Sequence, residues 1–220
     1  MEAVDGRWGG LGLDIHVIIL AAGFSRRFGG NKLLAELEGK PLYLHVVEKL
    51  LELQMLRPEI RSLMVVTQHQ PIVDEMARRG IPVSWNDHSE DGISSSLQVG
   101  LESVTDRFRE RDWEGKESYF CFFVGDQPYL QNTTVESFFD GFRESGKGIG
   151  CLKWGARTGN PVIFSGRYLN ELMGLKGDKG GKQVLHNHEE DVYYHEVLDS
   201  QELFDIDIRE NLGKTGENKG

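Results

Sequence analysis

The chain has 220 residues, of which 39% are hydrophobic and 27% are charged. This composition is that of an ordinary globular protein, and it excludes a disordered or collagen-like chain because enough apolar surface is present to offset the entropy of ordering. With 25 Lys and Arg against 35 Asp and Glu, the formal net charge of −10 disfavours binding to nucleic acid or to an anionic membrane.

The first two thirds of the chain alternate strand-like and helix-like segments. Ile15–Leu20 is a continuous apolar run, which predicts a buried parallel strand. After a polar, glycine-rich loop, apolar residues recur at helical spacing over Pro41–Leu56. The same patterns then predict strands at Ser62–Thr67, Val83–Trp85 and Tyr119–Val124, and helices at Pro71–Gly80, Ser94–Phe108 and Thr133–Ser145.

After Gly146 the predicted elements are shorter. They are strands at Ile149–Trp154, Asn160–Phe164 and Val192–Val197, a turn at Gly155–Gly159, a helix near Arg167–Met173, and a helix after the glycine-rich loop Gly177–Gly181. Strand–helix alternation with short connections predicts a three-layer, doubly wound α/β fold with a mostly parallel, Rossmann-like sheet. We expect a single domain over residues 14–212, with flexible termini at 1–13 and 213–220.

Several features point to a cytoplasmic protein. The most apolar stretch, Ile15–Ala22, is too short to span a bilayer, and Met1–Asp14 is glycine-rich with acidic residues, unlike a signal peptide. The two cysteines, Cys121 and Cys151, are too few for a disulfide framework and lack metal-binding spacing. His186, His188 and His195 lack the register of a metal site, so we expect them at a solvent-facing helix end.

The loop after the first predicted strand combines small and basic residues. These are Ala21, Ala22, Gly23, Ser25, Arg27 and Lys32, which directly follow or lie near Leu20. Small residues let the backbone approach a ligand closely, and Arg and Lys neutralise phosphate charge. The loop matches neither the Walker A nor the dinucleotide-binding pattern. On composition alone, a solvated loop with incidental basic residues explains it equally well.

Acidic residues occur at two further positions of interest. Asp126 directly follows the most apolar strand, where a cation would meet phosphate oxygens, although a turn or helix cap also uses Asp there. Asp205 and Asp207 alternate, so both carboxylates would lie on one face of an extended segment. Such a pair accommodates a cation, but it is also typical of an exposed strand edge.

A third loop, Gly92–Leu97, carries three consecutive serines at a predicted helix start. Hydroxyl and N–H donors at the positive end of a helix suit an anion or the edge of a base. Capping of the helix is the simpler explanation of Ser94, Ser95 and Ser96.

Taken in order, seven segments resemble the MobA-like nucleotidyltransferases, in particular the molybdenum cofactor cytidylyltransferases. The segments span most of the chain: Leu20-Ala21-Ala22-Gly23-x-Ser25-x-Arg27-x-Gly29-x-x-Lys32, Gly39–Leu42, Gly92–Leu97, Gly125–Pro128, Gly159–Val162, Gly177–Lys182 and Asp205–Asp207.

This resemblance implies a role for each matched position. Nucleotide binding falls to Leu20, Ala21, Ala22, Gly23, Ser25, Arg27, Lys32, Gly92, Ser94, Ser95 and Ser96, and catalysis to Arg27, Lys32 and Asp126. Mg²⁺ would be held by Asp126 together with Asp207 or Asp205, and the pterin side by Asn160, Asp178 and Lys182. The reaction implied is transfer of CMP from CTP to the phosphate of molybdopterin, with release of pyrophosphate.

The choice of nucleotide is read from two of these segments. The resemblance implies CTP, because guanylyltransferase relatives usually carry glycine where Ala22 stands and because the serine loop matches the cytidylyl relatives. A GTP-dependent guanylyltransferase, a cytidylyltransferase for another small phosphorylated molecule, and a chaperone that delivers the cofactor to a molybdenum hydroxylase client are the alternatives.

The chain departs from the family pattern at three places. Asn160 replaces a common histidine, Lys182 replaces an arginine, and Ile208–Asn211 replaces a Thr-Pro-Glu-Asp segment. The first two departures affect the expected pterin contacts, and the third affects the assignment of Asp205 and Asp207.

Overall fold

A seven-stranded sheet forms the centre of the structure, a computed structural model that describes residues 13–23, 28–108 and 117–206. The strands are β1 (Asp14–Leu20), β4 (Ile60–Thr67), β5 (Val83–Trp85), β6 (Ser118–Val124), β7 (Ile149–Trp154), β8 (Arg157–Ser165) and β9 (Val192–Glu196), and a separate hairpin contains β2 (Glu36–Leu37) and β3 (Lys40–Pro41). The order across the sheet is β5-β4-β1-β6-β8-β7-β9. Only β8 runs antiparallel to its neighbours in this sheet, so the predicted mostly parallel arrangement is confirmed.

Within the described ranges, six α-helices cover the two faces of the sheet. They are α1 (Leu42–Leu56), α2 (Gln70–Arg78), α3 (Ile93–Arg107), α4 (Asn132–Ser145), α5 (Leu169–Met173) and α6 (Lys182–Asn187). Because side chains alternate along a strand, Ile15, Val17 and Ile19 of β1 pack in the cluster formed with α1, α2 and α4. Ile18 packs on the opposite face with α3, α5 and α6, which gives the three predicted layers. No helix among the described residues is long and apolar enough to cross a bilayer.

The position of β1 in the middle of the parallel strands determines where a ligand can bind. Its register pairs Leu20 with Val66 of β4 on one side and with Val124 of β6 on the other. The carboxyl ends of these three strands therefore lie side by side, and the segments that follow them meet at one edge of the sheet.

Nearly all predicted elements are confirmed to within a few residues, with two corrections. The predicted turn at Gly155–Gly159 is wrong in length, because β8 begins at Arg157 and leaves only Gly155 and Ala156 in the turn. The β2–β3 hairpin was not predicted; its two-residue turn has positive φ at Glu38 and Gly39, as hairpin turns require.

The histidine prediction is correct only in part. His186 and His188 lie at the C-terminal end of α6, as expected. His195 instead lies in β9, half-buried, with its ring centroid 6.1 Å from that of Phe138. The predicted flexibility of the termini concerns residues that lie mostly outside the described part of the chain.

The titratable side chain of His16 is buried near the amino-terminal end of β1, the end opposite to the loops discussed below. His16 is 2% exposed, its Nδ1 lies 2.8 Å from the Ser62 hydroxyl, and its ring lies 4.6 Å from Phe108 and 5.9 Å from Phe120. Burial lowers the pKa of His16 to about 4. The imidazole is therefore neutral in the folded protein near neutral pH.

We predict that His16 makes the protein sensitive to mild acid. The unfolded chain takes up this proton near pH 6.5 and the folded chain only near pH 4, so the contribution to stability is complete above pH 6.5 and is lost as the pH falls towards 4. In chemical denaturation, the free energy of unfolding of wild type should fall by roughly 2 kcal/mol more between pH 7 and 4.5 than that of His16→Gln. His88→Ala, a change at an exposed histidine, should keep the wild-type pH dependence. If the free energy of unfolding changed equally with pH in wild type and His16→Gln, this assignment would be contradicted.

Candidate functional site

The segment after β1 turns its carbonyl oxygens towards the end of β4. The carbonyls of residues 21, 22 and 23 accept hydrogen bonds from the side chains of Thr67, Gln68 and His69 at 2.8, 2.5 and 3.3 Å. Burial lowers the pKa of His69, which leaves its ring neutral at pH 7. In a trans peptide the C=O and the following N–H point in opposite directions. The N–H groups of Ala22 and Gly23 therefore point away from β4, on the side where these two residues line a cavity.

Lys32 brings a positive charge to this cavity. It begins a short 3₁₀ turn, Lys32–Leu34, which Asn31 caps by accepting a hydrogen bond from the Leu33 N–H at 3.1 Å. Its Nζ lies 2.6 Å from a carboxylate oxygen of Asp126, and the two side chains are 14% and 18% exposed. The ion pair joins the loop after β1 to the loop after β6. Ser25 and Arg27, predicted to lie beside Lys32, are outside the described residues.

The C-terminal segment lies against the Asp126 loop. The Ile206 N–H donates to the Asp126 carbonyl at 3.1 Å, and the Gln127 side chain donates to a carboxylate oxygen of Asp205 at 2.7 Å. Burial and the nearby charge of Asp126 raise the pKa of Asp205. Asp126 and Asp205 thus lie close together, whereas Asp207, the other candidate for the second carboxylate, lies outside the described residues.

This pair of carboxylates is chemically suited to Mg²⁺. In phosphate-processing sites Mg²⁺ is usually held by one or two carboxylates, with substrate phosphates and water completing the octahedron. A carboxylate whose ionisation is opposed by a neighbouring negative charge, as that of Asp205 is, is relieved by a cation placed between the two groups. Within the described ranges, no cluster of three or more His, Cys, Asp or Glu side chains has metal-binding geometry.

The serine loop is held against the glycine-rich loop at residue 177. Gly92 has a φ of +99°, and a Cβ on it would lie 2.3 Å from the backbone carbon of Gly177. The Ser94 N–H donates to the Gly177 carbonyl at 3.2 Å. Only glycine combines this φ with such a close approach of two backbones.

The three serines differ in what they contact. The Asn86 amide donates to the hydroxyls of Ser95 and Ser96 at 3.0 and 2.8 Å, and Ser95 donates back to the Gly92 carbonyl at 2.9 Å. Ser96 lines the cavity beside Lys32, whereas Ser94 is buried and lies outside the cavity lining, as does the buried Ala21. Simple side-chain capping of α3 is absent in this loop, because none of the serine hydroxyls bonds as a helix cap.

Two adjoining cavities lie at this edge of the sheet. The smaller, of about 270 Å³, is bordered by the loops after β1 and β6 and by the serine loop, Gly92–Leu97. Its lining residues are Leu20, Ala22, Gly23, Lys32, Leu33, Ser89, Gly92, Ile93, Ser96, Val124, Asp126 and Asp178. The larger, of about 580 Å³, has a mainly apolar wall with aromatic side chains. Leu20, Ile93 and Asp178 border both cavities, so ligands in the two would meet at this shared wall.

The three residues predicted for the pterin side lie together in the larger cavity. Asn160, Asp178 and Lys182 all contribute to its lining. The Lys182 ammonium donates to the Thr158 carbonyl at 3.2 Å, which links α6 to the β8 hairpin.

Sequence reasoning missed the residues that hold the loops in place. Thr67 ends β4 and Gln68 and His69 directly follow it, so the placement of ligand sites at the carboxyl ends of parallel strands points to these residues as well. Asn86 follows β5 directly and was likewise overlooked. The Ser89 hydroxyl, at the smaller cavity, is buried and has no hydrogen-bond partner among the described residues.

Comparison with known proteins agrees with this arrangement. The family model described as the MobA-like NTP transferase domain matches residues 17–192. A probable molybdenum cofactor guanylyltransferase of Pyrococcus horikoshii is 34% identical over 171 residues, covering 76% of this chain and 78% of the relative. A probable molybdenum cofactor guanylyltransferase of Thermococcus sibiricus is 27% identical over 143 residues, covering 62% of this chain and only 60% of that relative's length.

A solved structure shares the whole fold. The homologue, from Mycobacterium sp. strain JC1, of a Mycobacterium tuberculosis protein superposes with a TM-score of 0.69 at 25% identity. The match covers 90% of this chain and 92% of the other.

We predict that Gly92→Ala separates the serine loop from the Gly177 loop. The change adds both an unfavourable φ and a clash with backbone that cannot turn away, so the free energy of unfolding should fall by about 2 kcal/mol or more. Gly146→Ala is the matched control, since Gly146 also has positive φ but a Cβ there meets nothing within 4 Å. Urea denaturation should show the larger loss for Gly92→Ala. Similar losses in the two variants would show that the loop contact contributes nothing.

Proposed function

The chain belongs to the MobA-like NTP transferase family, and we propose that it transfers a nucleotidyl group from a nucleoside triphosphate to the phosphate of molybdopterin. The observation that carries this proposal is the Lys32–Asp126 pair at the cavity where the N–H groups of Ala22 and Gly23 point. A cation, backbone N–H groups and a carboxylate at the carboxyl ends of parallel strands are the groups that a triphosphate requires.

The proposed chemistry needs alignment more than proton transfer. An oxygen of the acceptor phosphate attacks the α-phosphorus and forms a new P–O bond. The bond from the α-phosphorus to the oxygen bridging to the β-phosphate breaks, and pyrophosphate leaves with that electron pair. Because the attacking phosphate is already anionic, little general-base work is needed. The protein's task is to hold two anions together against their mutual repulsion.

Each loop has a part in this task. The N–H groups of residues 22 and 23 bind phosphate oxygens, and Lys32 neutralises the charge that develops as pyrophosphate leaves. Asp126 and Asp205 are the residues that would hold Mg²⁺, which when bound supplies positive charge to the phosphates. Lys32 exchanges its contact with Asp126 for one with phosphate, so the site does not leave a buried charge without a partner.

The larger cavity suits the acceptor. Its mainly apolar wall includes the exposed Ile93, which offers apolar surface to a fused heterocycle, and Asn160, Asp178 and Lys182 provide polar groups in its lining. Because Asp178 and Ile93 border both cavities, an acceptor phosphate at the shared wall lies next to the triphosphate site.

We propose CTP as the nucleotide. Ala22 and the serine loop resemble the cytidylyl relatives. The Ser89 hydroxyl, without a partner in the described structure, supplies a hydrogen-bonding group at the smaller cavity. GTP is the second candidate, favoured by the guanylyltransferase names of the two curated relatives.

The expected result of a direct assay is pyrophosphate release that requires molybdopterin and Mg²⁺ and is at least tenfold faster with CTP than with GTP, ATP or UTP. All four nucleotides are compared at one concentration, with a reaction lacking molybdopterin as the control. Faster release with GTP would support the same mechanism but would show that Ala22 and the serine loop do not indicate CTP. Absence of release from protein that binds molybdopterin would reject the transferase and favour a role in delivering the cofactor to a client such as a molybdenum hydroxylase.

A further inference from the structure

Two charged side chains, the half-buried Lys49 and the buried Glu202, lie behind the Asp126 loop and outside the two cavities described above. Lys49, on α1, donates from Nζ to the carbonyls of Pro128 and Leu130 at 2.5 and 2.8 Å. Glu202 is 4% exposed, and its carboxylate accepts a hydrogen bond from the Gln131 N–H at 3.1 Å. The two side chains thus hold the backbone of residues 128–131, which runs from Asp126 to the start of α4.

These charges are costly to bury, which calls for an explanation. Burial lowers the pKa of Lys49, and the charge of Glu202 opposes that shift. Glu202 is the one Asp or Glu in the described ranges that is almost fully buried. Charges withdrawn from water seldom add net stability, but the hydrogen bonds that they make fix the groups around them in a single arrangement.

The groups whose arrangement is fixed here are the carboxylates of Asp126 and Asp205. Glu202 lies three residues before Asp205, in the segment that bonds to Asp126 and Gln127. Lys49 holds the other partner, the loop that follows Asp126. Through their bonds to the backbone of residues 128–131, Lys49 and Glu202 therefore connect α1, the Asp126 loop and the Asp205 segment.

We propose that Lys49 and Glu202 are positioning residues that keep Asp126 and Asp205 side by side for a divalent cation. The inference rests on the proposed function and extends it to residues that touch neither substrate. Residues that orient metal ligands from behind typically change metal affinity or activity 10- to 100-fold when they are replaced.

The test compares Lys49→Met, Lys49→Arg and Glu202→Gln with wild type. Mn²⁺ binding is measured without substrates, from the electron paramagnetic resonance signal of the free ion, and kcat and KM for the nucleotide are measured separately. Lys49→Met and Glu202→Gln should weaken Mn²⁺ binding about tenfold and lower kcat at least tenfold, with KM within threefold of wild type. Lys49→Arg should recover most of both losses, because it again donates to the two carbonyls.

The control is Lys147→Met, which removes another lysine–carbonyl hydrogen bond, from Lys147 to the Glu190 carbonyl at 2.6 Å. It should leave Mn²⁺ binding and kcat unchanged. Folding of every variant is checked by thermal unfolding monitored by circular dichroism.

The outcomes separate this inference from the proposed function. If wild type turns over and Lys49→Met loses thermal stability while keeping Mn²⁺ affinity and kcat, the two residues are only structural and the inference is wrong. If wild type binds Mn²⁺ without turning over any nucleotide, the proposed function fails, and weaker Mn²⁺ binding by the variants still supports the positioning role. Wild type that binds no Mn²⁺ would overturn the inference itself.

Discussion

The ion pair between Lys32 and Asp126 joins the two loops on which the rest of the site depends. It forms because β1 pairs with β6 in parallel register, so that Leu20 lies opposite Val124 and the following residues leave the sheet at the same level. A 2.6 Å contact between side chains that are mostly buried holds both loops before any ligand arrives. In the proposed function, the Lys32 ammonium moves from this contact to a phosphate, and the Asp126 carboxylate binds a metal ion.

This arrangement also explains how an acidic protein can bind anions. The formal charge of −10 gives no long-range attraction for a triphosphate. In the proposed function binding comes from local groups, which are the N–H groups of residues 22 and 23 and the ammonium of Lys32. The carbonyls that would repel phosphate are already occupied by the side chains of residues 67–69. Local geometry therefore matters more here than the overall charge.

Much of the fold and part of the site could be predicted because their signals are local. Apolar runs and helical spacing identify strands and helices directly, and Lys32 and Asp126 stand beside strands in recognisable segments. The contacts of Ser94 and Lys49 could not be predicted in the same way. Ser94 bonds a loop more than eighty residues away, and Lys49 resembles any lysine on the polar side of an amphipathic helix.

The burial of Glu202 is a further feature that could not be predicted from the sequence. In the sequence it is one acid among 35, in a segment with no regular pattern. Its burial follows from where the segment after β9 returns across the end of the sheet, and that path depends on contacts between distant parts of the chain. Long-range packing, rather than local preference, assigns such residues their role.

The most direct test of the account is a crystal structure with Mn²⁺ and a CTP analogue that cannot be cleaved, with the metal located by its anomalous scattering. The account predicts the metal signal beside the carboxylates of Asp126 and Asp205, and the triphosphate against residues 22 and 23 with Lys32 on its oxygens. A triphosphate bound in the larger cavity, with the Lys32–Asp126 pair intact and the metal elsewhere, would contradict it.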